Sequence, residues 1–319
     1  MTSSFTAITG LALGIGFAAG LALVPAPAKA EDFSFVALGD MPYGDPEKVY
    51  GRFEALIDAV NAASPDLVLH IGDTKSGGTP CSDAMLDDQL AFMNTFRAPL
   101  LYTPGDNEWT DCHRKNAGGF DPLDRLAYIR ETYFADPGAT LGGARVKVQT
   151  QAKRGFPENA RMMHKGVGFI TAHVVGSNNN FEIRDPAAVA EFFERDRATT
   201  GWMRQSFETF ADADAIVLAI HADMFEFDFN AFGKERWLRH SGFARFGPAL
   251  QKAASAFAKP VLLIYGDSHK HVVFRPFPET APNVTALEVF GAKNMHAVEV
   301  TVDTKAGTFG IAPILNPKL

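Results

Sequence analysis

The sequence predicts an α/β fold in which two mixed sheets pack between helices, and three features of its 319 residues carry that prediction. Four apolar runs end in Gly-Asp, at Asp40, Asp73, Asp106 and Asp267, and a fifth ends at His221. Segments with apolar residues at helical spacing lie between most of these runs. From Val272 onward the chain turns β-rich. Short Val, Ile and Leu runs bounded by glycine read as strands buried on both faces. Early βαβ units followed by a late cluster of strands favour one domain with two layers of sheet.

The first thirty residues stand apart. Leu11 to Val24 contains only Ala, Leu, Gly, Ile, Phe and Val, and Pro25-Ala26-Pro27-Ala28-Lys29-Ala30 follows. An apolar core followed by small residues at Ala28 and Ala30 reads as a secretory signal peptide over residues 1–30. Residues 31–319 are then the mature domain. No Lys or Arg precedes the core, and an uncleaved anchor over Phe5 to Val24 is the other reading. Cleavage predicts a periplasmic or secreted protein with no stable membrane insertion.

The elements follow in order. A strand runs into Asp40, and Pro46 to Ala63 carries Tyr50, Phe53, Leu56, Ile57 and Val60 at helical spacing. Leu67 to Ile71 leads to Asp73, and Ala84 to Phe96 repeats the helical pattern with Leu86, Leu90 and Met93. Leu100 to Pro104 leads to Asp106. Pro122 to Tyr133 is the next helix, with Asp121 as its N-cap and Pro122 at the first position. Residues 135–165 are rich in Gly, Lys and Arg and predict short strands at best. A strand over Val167 to Val175 ends in Gly176-Ser177-Asn178-Asn179-Asn180. A long helix from Pro186 to Phe210 precedes the His221 strand, and one from Phe243 to Ala258 precedes the Asp267 strand. Val284 to Phe290, Ala297 to Val302 and Thr308 to Ala312 are the late strands.

The net charge of −7 becomes −8 when Lys29, the only charge in the first thirty residues, is removed. That acidity argues against nucleic-acid partners. It leaves room for a phosphorylated small-molecule substrate, because bound cations dominate the field inside a site. Cys81 and Cys112 each lie in a loop after a Gly-Asp, and in an oxidising compartment they would form a disulfide. Two free thiols are the alternative. The lack of a C-x-x-C spacing argues against metal ligation by them.

Sheets of this kind place ligand-binding groups just past the carboxyl ends of their strands. Five strand ends therefore deliver four carboxylates and at least two imidazoles to one edge. One Gly-Asp alone is more often a turn or helix cap. Four of them with Gly-x-x-His in this order point to a metal site for two ions. Carboxylates so crowded would raise each other's pKa values, and cations resolve the conflict. Two ions about 3.5–4 Å apart can hold a deprotonated water and clamp a phosphoryl oxygen at once.

The order Asp40, Gly72-Asp73, Gly105-Asp106-Asn107-Glu108, His221 and Gly266-Asp267-Ser268-His269 resembles the calcineurin-like metallophosphoesterase superfamily, in a bacterial exported branch with variant motifs. The resemblance implies an αββα sandwich and two divalent metals bridged by one carboxylate and by a hydroxide. It implies Asp40 and His269 on one ion, Asp73 as the bridge, and Asp106, His221 and Asp267 on the other. Three positions depart from the family pattern. Pro42 stands where the first motif has histidine, Asn107 where the third has the histidine that protonates the leaving group, and Asp267 where the fifth has its first histidine. These changes shift the donor set from nitrogen toward oxygen, which suits manganese, magnesium, iron or calcium better than zinc. They also leave one site a ligand short.

With Asn107 in the acid's position, His113 is a candidate to supply the proton; an exposed structural histidine is the other reading. Asn178 and Asn179, past a strand end, and His271, two residues after His269, are candidates for substrate contact. Asn clusters also make turns. His173 reads as a satisfied strand residue and His70 as packing or support behind Asp73. Phe225-Glu226-Phe227-Asp228-Phe229-Asn230 alternates with period two, as a strand with one buried face or as an aromatic wall. Arg114 or Arg161 would hold phosphoryl oxygens. The function implied is hydrolysis of phosphoric esters at a dinuclear centre. The alternative is an envelope binding protein that kept the metal scaffold and lost the chemistry.

Overall fold

The computed structural model describes residues 32–226 and 241–319, together with Met1, Thr2 and Ser4. The core of the expected signal peptide and the Phe227–Asn230 end of the alternating aromatic segment lie outside the described residues. In chain order the strands are β1 (Phe33–Leu38), β2 (Leu67–His70), β3 (Leu100–Tyr102), β4 (Gln149–Gln151), β5 (Phe156–His164), β6 (Val167–Thr171), β7 (Ala215–Ala219), β8 (Val261–Tyr265), β9 (Val273–Phe274), β10 (Val284–Glu288), β11 (Ala297–Asp303) and β12 (Thr308–Ile314). The main helices are α1 (Pro46–Ala63), α2 (Asp83–Met93), α3 (Pro122–Thr132), α4 (Pro186–Thr209) and α5 (Phe246–Phe257).

The strands form two mixed sheets, ordered β12-β11-β1-β2-β3 and β4-β5-β6-β7-β8-β10-β9. In the first sheet β1, β2 and β3 are parallel and β11 and β12 are antiparallel. In the second, β6, β7, β8 and β10 are parallel. Strand β1 shows why its run has no polar alternation. Phe35 and Ala37 join Leu69, Phe169, Val217 and Ile264 in the core between the sheets, while Val36 and Leu38 pack with Phe53, Leu56 and Val60 of α1. A strand with apolar layers on both sides must be apolar on both faces. On the far side, Trp202, Met203 and Phe207 of α4 and Leu250 of α5 cover Ile216, Leu218 and Leu263. Helices, sheet, sheet and helices make the αββα sandwich. Among the described residues no helix is long and apolar enough to cross a membrane.

The helix starts follow their expected chemistry. Asp45, Asp121 and Asp185 accept from backbone N–H groups in the first turns of α1, α3 and α4, each with proline at the first helical positions. One stretch differs from expectation: residues 135–165 hold the nine-residue strand β5. Its polar side chains Glu158, Asn159 and Arg161 are buried and internally paired, which erases the hydrophobic pattern of a strand. Glu158 accepts from Arg130, Asn159 Nδ2 donates to Gln151 and Thr199, and Arg161 donates to Gln149 and Ser206 while lying over Trp202. Arg161 is thereby committed to packing and not to a phosphoryl oxygen.

Cys81 and Cys112 form a fully buried disulfide, with Cα atoms 5.8 Å apart. It joins the loop after β2 to the loop after β3. With a sequence separation of 31 between the two cysteines, loop closure is worth roughly 3–4 kcal/mol through the unfolded chain. Protein purified without reductant should show no titratable thiol in denaturant, and reduction should lower the denaturation midpoint. Two reactive thiols in the unreduced protein would contradict the bridge.

Candidate metal centre

The carboxyl ends of β1, β2, β3, β7 and β8 meet at one end of the sandwich. Asp40, Asp73, Asp267 and His269 all adopt left-handed backbone conformations, with φ between 54° and 75°. Such conformations cost about 1–3 kcal/mol each in a non-glycine residue and concentrate at functional sites. The loops carrying Asp73 and Asp106 approach so closely that a side chain on Gly72 would strike the backbone of Gly105, and Gly72 itself has φ +91°. Only glycine serves there.

His221 is the hub. Its Nδ1 donates to the Ile71 carbonyl at 2.8 Å, which turns Nε2 toward three carboxylates. Nε2 lies 3.4 Å from Asp73 Oδ1, 3.5 Å from Asp106 Oδ1 and 4.0 Å from Asp267 Oδ1. It is buried and has no hydrogen-bond partner. Two groups of potential ligands share it: Asp40, Asp73 and His221, and Asp106, His221 and Asp267, the ligand atoms of each within 4.8 Å of one another. His269 Nε2 stands 3.4 Å from Asp40 Oδ1. The six expected ligands thus converge, with His221 common to both groups.

The electrostatics are those of a site built around cations. Burial pushes Asp73 well above the usual carboxylate range, and Asp106, Glu108 and Asp40 add to this against the pull of His221. Asp267 is raised by burial and by Asp106. Burial alone would lower His221, but Asp73, Asp106 and Asp267 overcome it and raise the imidazole well above its ordinary value. That direction favours a proton on His221 in metal-free protein, and a metal ligand must lose it. Metal uptake should release protons, and affinity should rise with pH. Titration calorimetry in buffers of differing ionisation enthalpy checks this; a buffer-independent heat would contradict it.

Neighbouring groups fix the ligands. Asn107 donates its backbone N–H to Asp73 Oδ1 at 3.0 Å and its amide to Asp73 Oδ2 and, at 2.9 Å, to the Tyr43 hydroxyl. Tyr43 in turn donates to Asp73 Oδ2 at 2.6 Å. Fully buried Glu108 accepts from Thr74 N, Gly105 N and the Tyr102 hydroxyl, pinning the two loops together. The Ser177 hydroxyl lies 2.7 Å from Asp106 Oδ2 and 2.9 Å from Asp111 Oδ1. His70 accepts from Gly72 N, and burial, aided by His221, lowers it to about 3, so it stays neutral behind Asp73.

The remaining candidates are placed as follows. His113 is exposed, its Nδ1 2.6 Å from the Thr110 carbonyl. Beside it Arg114 pairs with Asp111 at 2.7 Å, and a methyl group on Gly77 would touch both Arg114 Nη1 and Asn107 Oδ1. Asn179 binds Gly242, Val175 and Arg195, and Asn178 binds Gly242 N, so both amides serve the loop's own structure. His271 stacks on Phe290 and lies 3.1 Å from the Glu288 carbonyl. His173 is buried against Glu158 at 2.8 Å. Tyr43, Asp111 and Ser177 are the contributors that the sequence pattern did not single out. A lone hydroxyl or carboxyl in a loop carries no periodicity to find it by.

The family model described as calcineurin-like phosphoesterase matches residues 33–271. No curated protein matches the chain significantly. Among solved structures, a protein of Thermus thermophilus is 11% identical with a TM-score of 0.46, over 89% of this chain and 100% of its own. A purple acid phosphatase from yellow lupin (Lupinus luteus) seeds is 10% identical with a TM-score of 0.49, over 90% of this chain. The match spans 54% of the lupin enzyme.

Proposed function

Because the chain belongs to the calcineurin-like phosphoesterase family, we propose that it hydrolyses phosphoric esters at a dinuclear metal centre held by Asp40, Asp73, Asp106, His221, Asp267 and His269. The observation that carries this reading is His221 Nε2, buried with no hydrogen bond of its own and facing three carboxylates. Two divalent ions bound there supply polarisation of a phosphoryl oxygen and a deprotonated water at neutral pH. The oxygen-rich donor set supports manganese, magnesium, iron or calcium over zinc.

The chain's own residues orient and neutralise. Asn107 and Tyr43 aim Asp73, the Ile71 carbonyl aims His221, and Ser177 aims Asp106. Arg114, beside the Asn107 amide, is the guanidinium suited to a phosphoryl oxygen. His113, whose Nδ1 donates to the Thr110 carbonyl, would hand a proton from Nε2 to the leaving oxygen as the imidazolium. Export is part of the same reading: the apolar run Leu11 to Val24 followed by Ala28-Lys29-Ala30 and the buried Cys81–Cys112 bridge both support an oxidising compartment.

The test is direct. Protein stripped of loose metal and reloaded with Mn(II) should retain about two equivalents and hydrolyse p-nitrophenyl phosphate or its diester, and chelation should abolish this. Full activity without metal would refute the centre. Tight metal retention with neither ester turned over would favour the binding-protein alternative.

A further inference from the structure

A cavity of about 550 Å³ opens beside the metal centre. Ser177 lines it and donates toward Asp106, a ligand of the centre, while Asp111 and Arg114 form the adjoining wall. An ester whose phosphorus lies against Asp106 has this space for whatever its phosphate is attached to. The volume falls in the range that encloses a small organic ligand.

The walls state what that group can be. Asp111, Asp121, Glu182 and Asp185 stand against Arg114, Arg184 and the His113 imidazole, four carboxylates to at most three cations. Both guanidiniums are taken: Arg184 by Glu182 at 2.6 Å, and Arg114 by Asp111 at 2.7 Å on one side and by the reacting phosphoryl group of the reading above on the other. A second phosphate or a carboxylate on the substrate would meet excess negative charge with no free arginine among the described lining residues. Arginine–carboxylate pairs instead present donors and acceptors side by side, which matches hydroxyl groups, since each both gives and accepts a hydrogen bond. Leu123, Ala187 and Ala188 add a small apolar face for a carbon skeleton.

We propose that this cavity receives the alcohol side of the ester and selects polar, hydroxyl-bearing alcohols of about sugar size that carry no further negative charge. The proposal rests on the phosphoesterase reading above and goes on to name its substrate class. Specificity arises from repulsion of the wrong partner as much as from attraction of the right one.

Three substrates and two variants test it. A hexose 6-phosphate and 6-phosphogluconate share a primary-alcohol leaving group and differ by a carboxylate; acetyl phosphate is too small to fill the cavity and reports on the metal centre. With Mn(II), kcat/KM for the hexose phosphate should exceed that for 6-phosphogluconate by about tenfold or more. Glu182→Gln frees Arg184 and should narrow that ratio. Ala187→Trp, at an exposed wall position, should lower turnover of the hexose phosphate about tenfold more than that of acetyl phosphate. Equal turnover of the two sugar esters, a ratio unmoved by Glu182→Gln, or an equal loss on both substrates in Ala187→Trp would each overturn the proposal while leaving the phosphoesterase reading intact. No hydrolysis of acetyl phosphate, p-nitrophenyl phosphate or its diester with any divalent ion would overturn both.

Discussion

Asp73→Asn is expected to lose both metal equivalents and to slow ester hydrolysis by more than about 100-fold. Changes one layer removed from a metal typically cost about 10–100-fold in affinity or activity, and on the proposed centre Asp73 would be in the layer itself. Its Oδ1 lies beside His221 Nε2 at 3.4 Å, its Oδ2 accepts from Tyr43, and its group includes Asp40. Burial and the nearby Asp106, Glu108 and Asp40 already push its pKa up. That burden reverses sign when cations are present, because each ion is attracted to every carboxylate around it. The amide keeps the shape and the contact with Asn107 N, so the fold should persist by circular dichroism. Elemental analysis and turnover of an aryl phosphate read the result. Two retained ions with parental turnover would show that Asp73 bridges nothing.

Much of this site is legible in the sequence, for a definite reason. Strands β1, β2, β7 and β8 are buried on both faces, so their runs are almost wholly apolar and the polar residue that ends each run is conspicuous. The same logic fails at β5, whose Glu158, Asn159 and Arg161 are satisfied by partners far along the chain. It fails again in the Gly176–Asn180 turn. Three asparagines draw attention there, yet it is Ser177 that reaches Asp106, while Asn178 and Asn179 bind Gly242. Which side chain of a turn faces the site is decided by contacts far along the chain. The sheet order, with β11 inserted beside β1, is likewise a long-range fact. Pro42 illustrates a third case: it stands where the family pattern has a histidine, and the neighbouring Tyr43 brings a hydroxyl to Asp73, a contact that spacing alone does not predict.

Gly176 offers the cleanest separation of one metal position from the other. A Cβ there would lie 2.6 Å from Asp106 Oδ2 and 2.7 and 2.8 Å from the two oxygens of Asp267. Those two carboxylates belong with His221 to one of the two ligand groups, and Asp40 and Asp73 to the other. Gly176 does not need a left-handed backbone, so alanine is conformationally acceptable and would even gain about 0.4–1 kcal/mol from the unfolded chain. The cost is local: a methyl group wedged between two carboxylates holds them apart and keeps them from closing on one ion. Gly176→Ala should therefore bind one metal equivalent in place of two and lose about 100-fold or more in turnover, with a melting temperature in chelator close to that of the parent. Gly201→Ala is the matched control. Gly201 lies on α4 with nothing within 4 Å of an added methyl, so that change should stabilise the helix by about 0.5–1 kcal/mol and leave metal content and turnover as they are. If Gly176→Ala keeps two ions and parental activity, Asp106 and Asp267 do not share a cation, and the second metal must be assigned elsewhere.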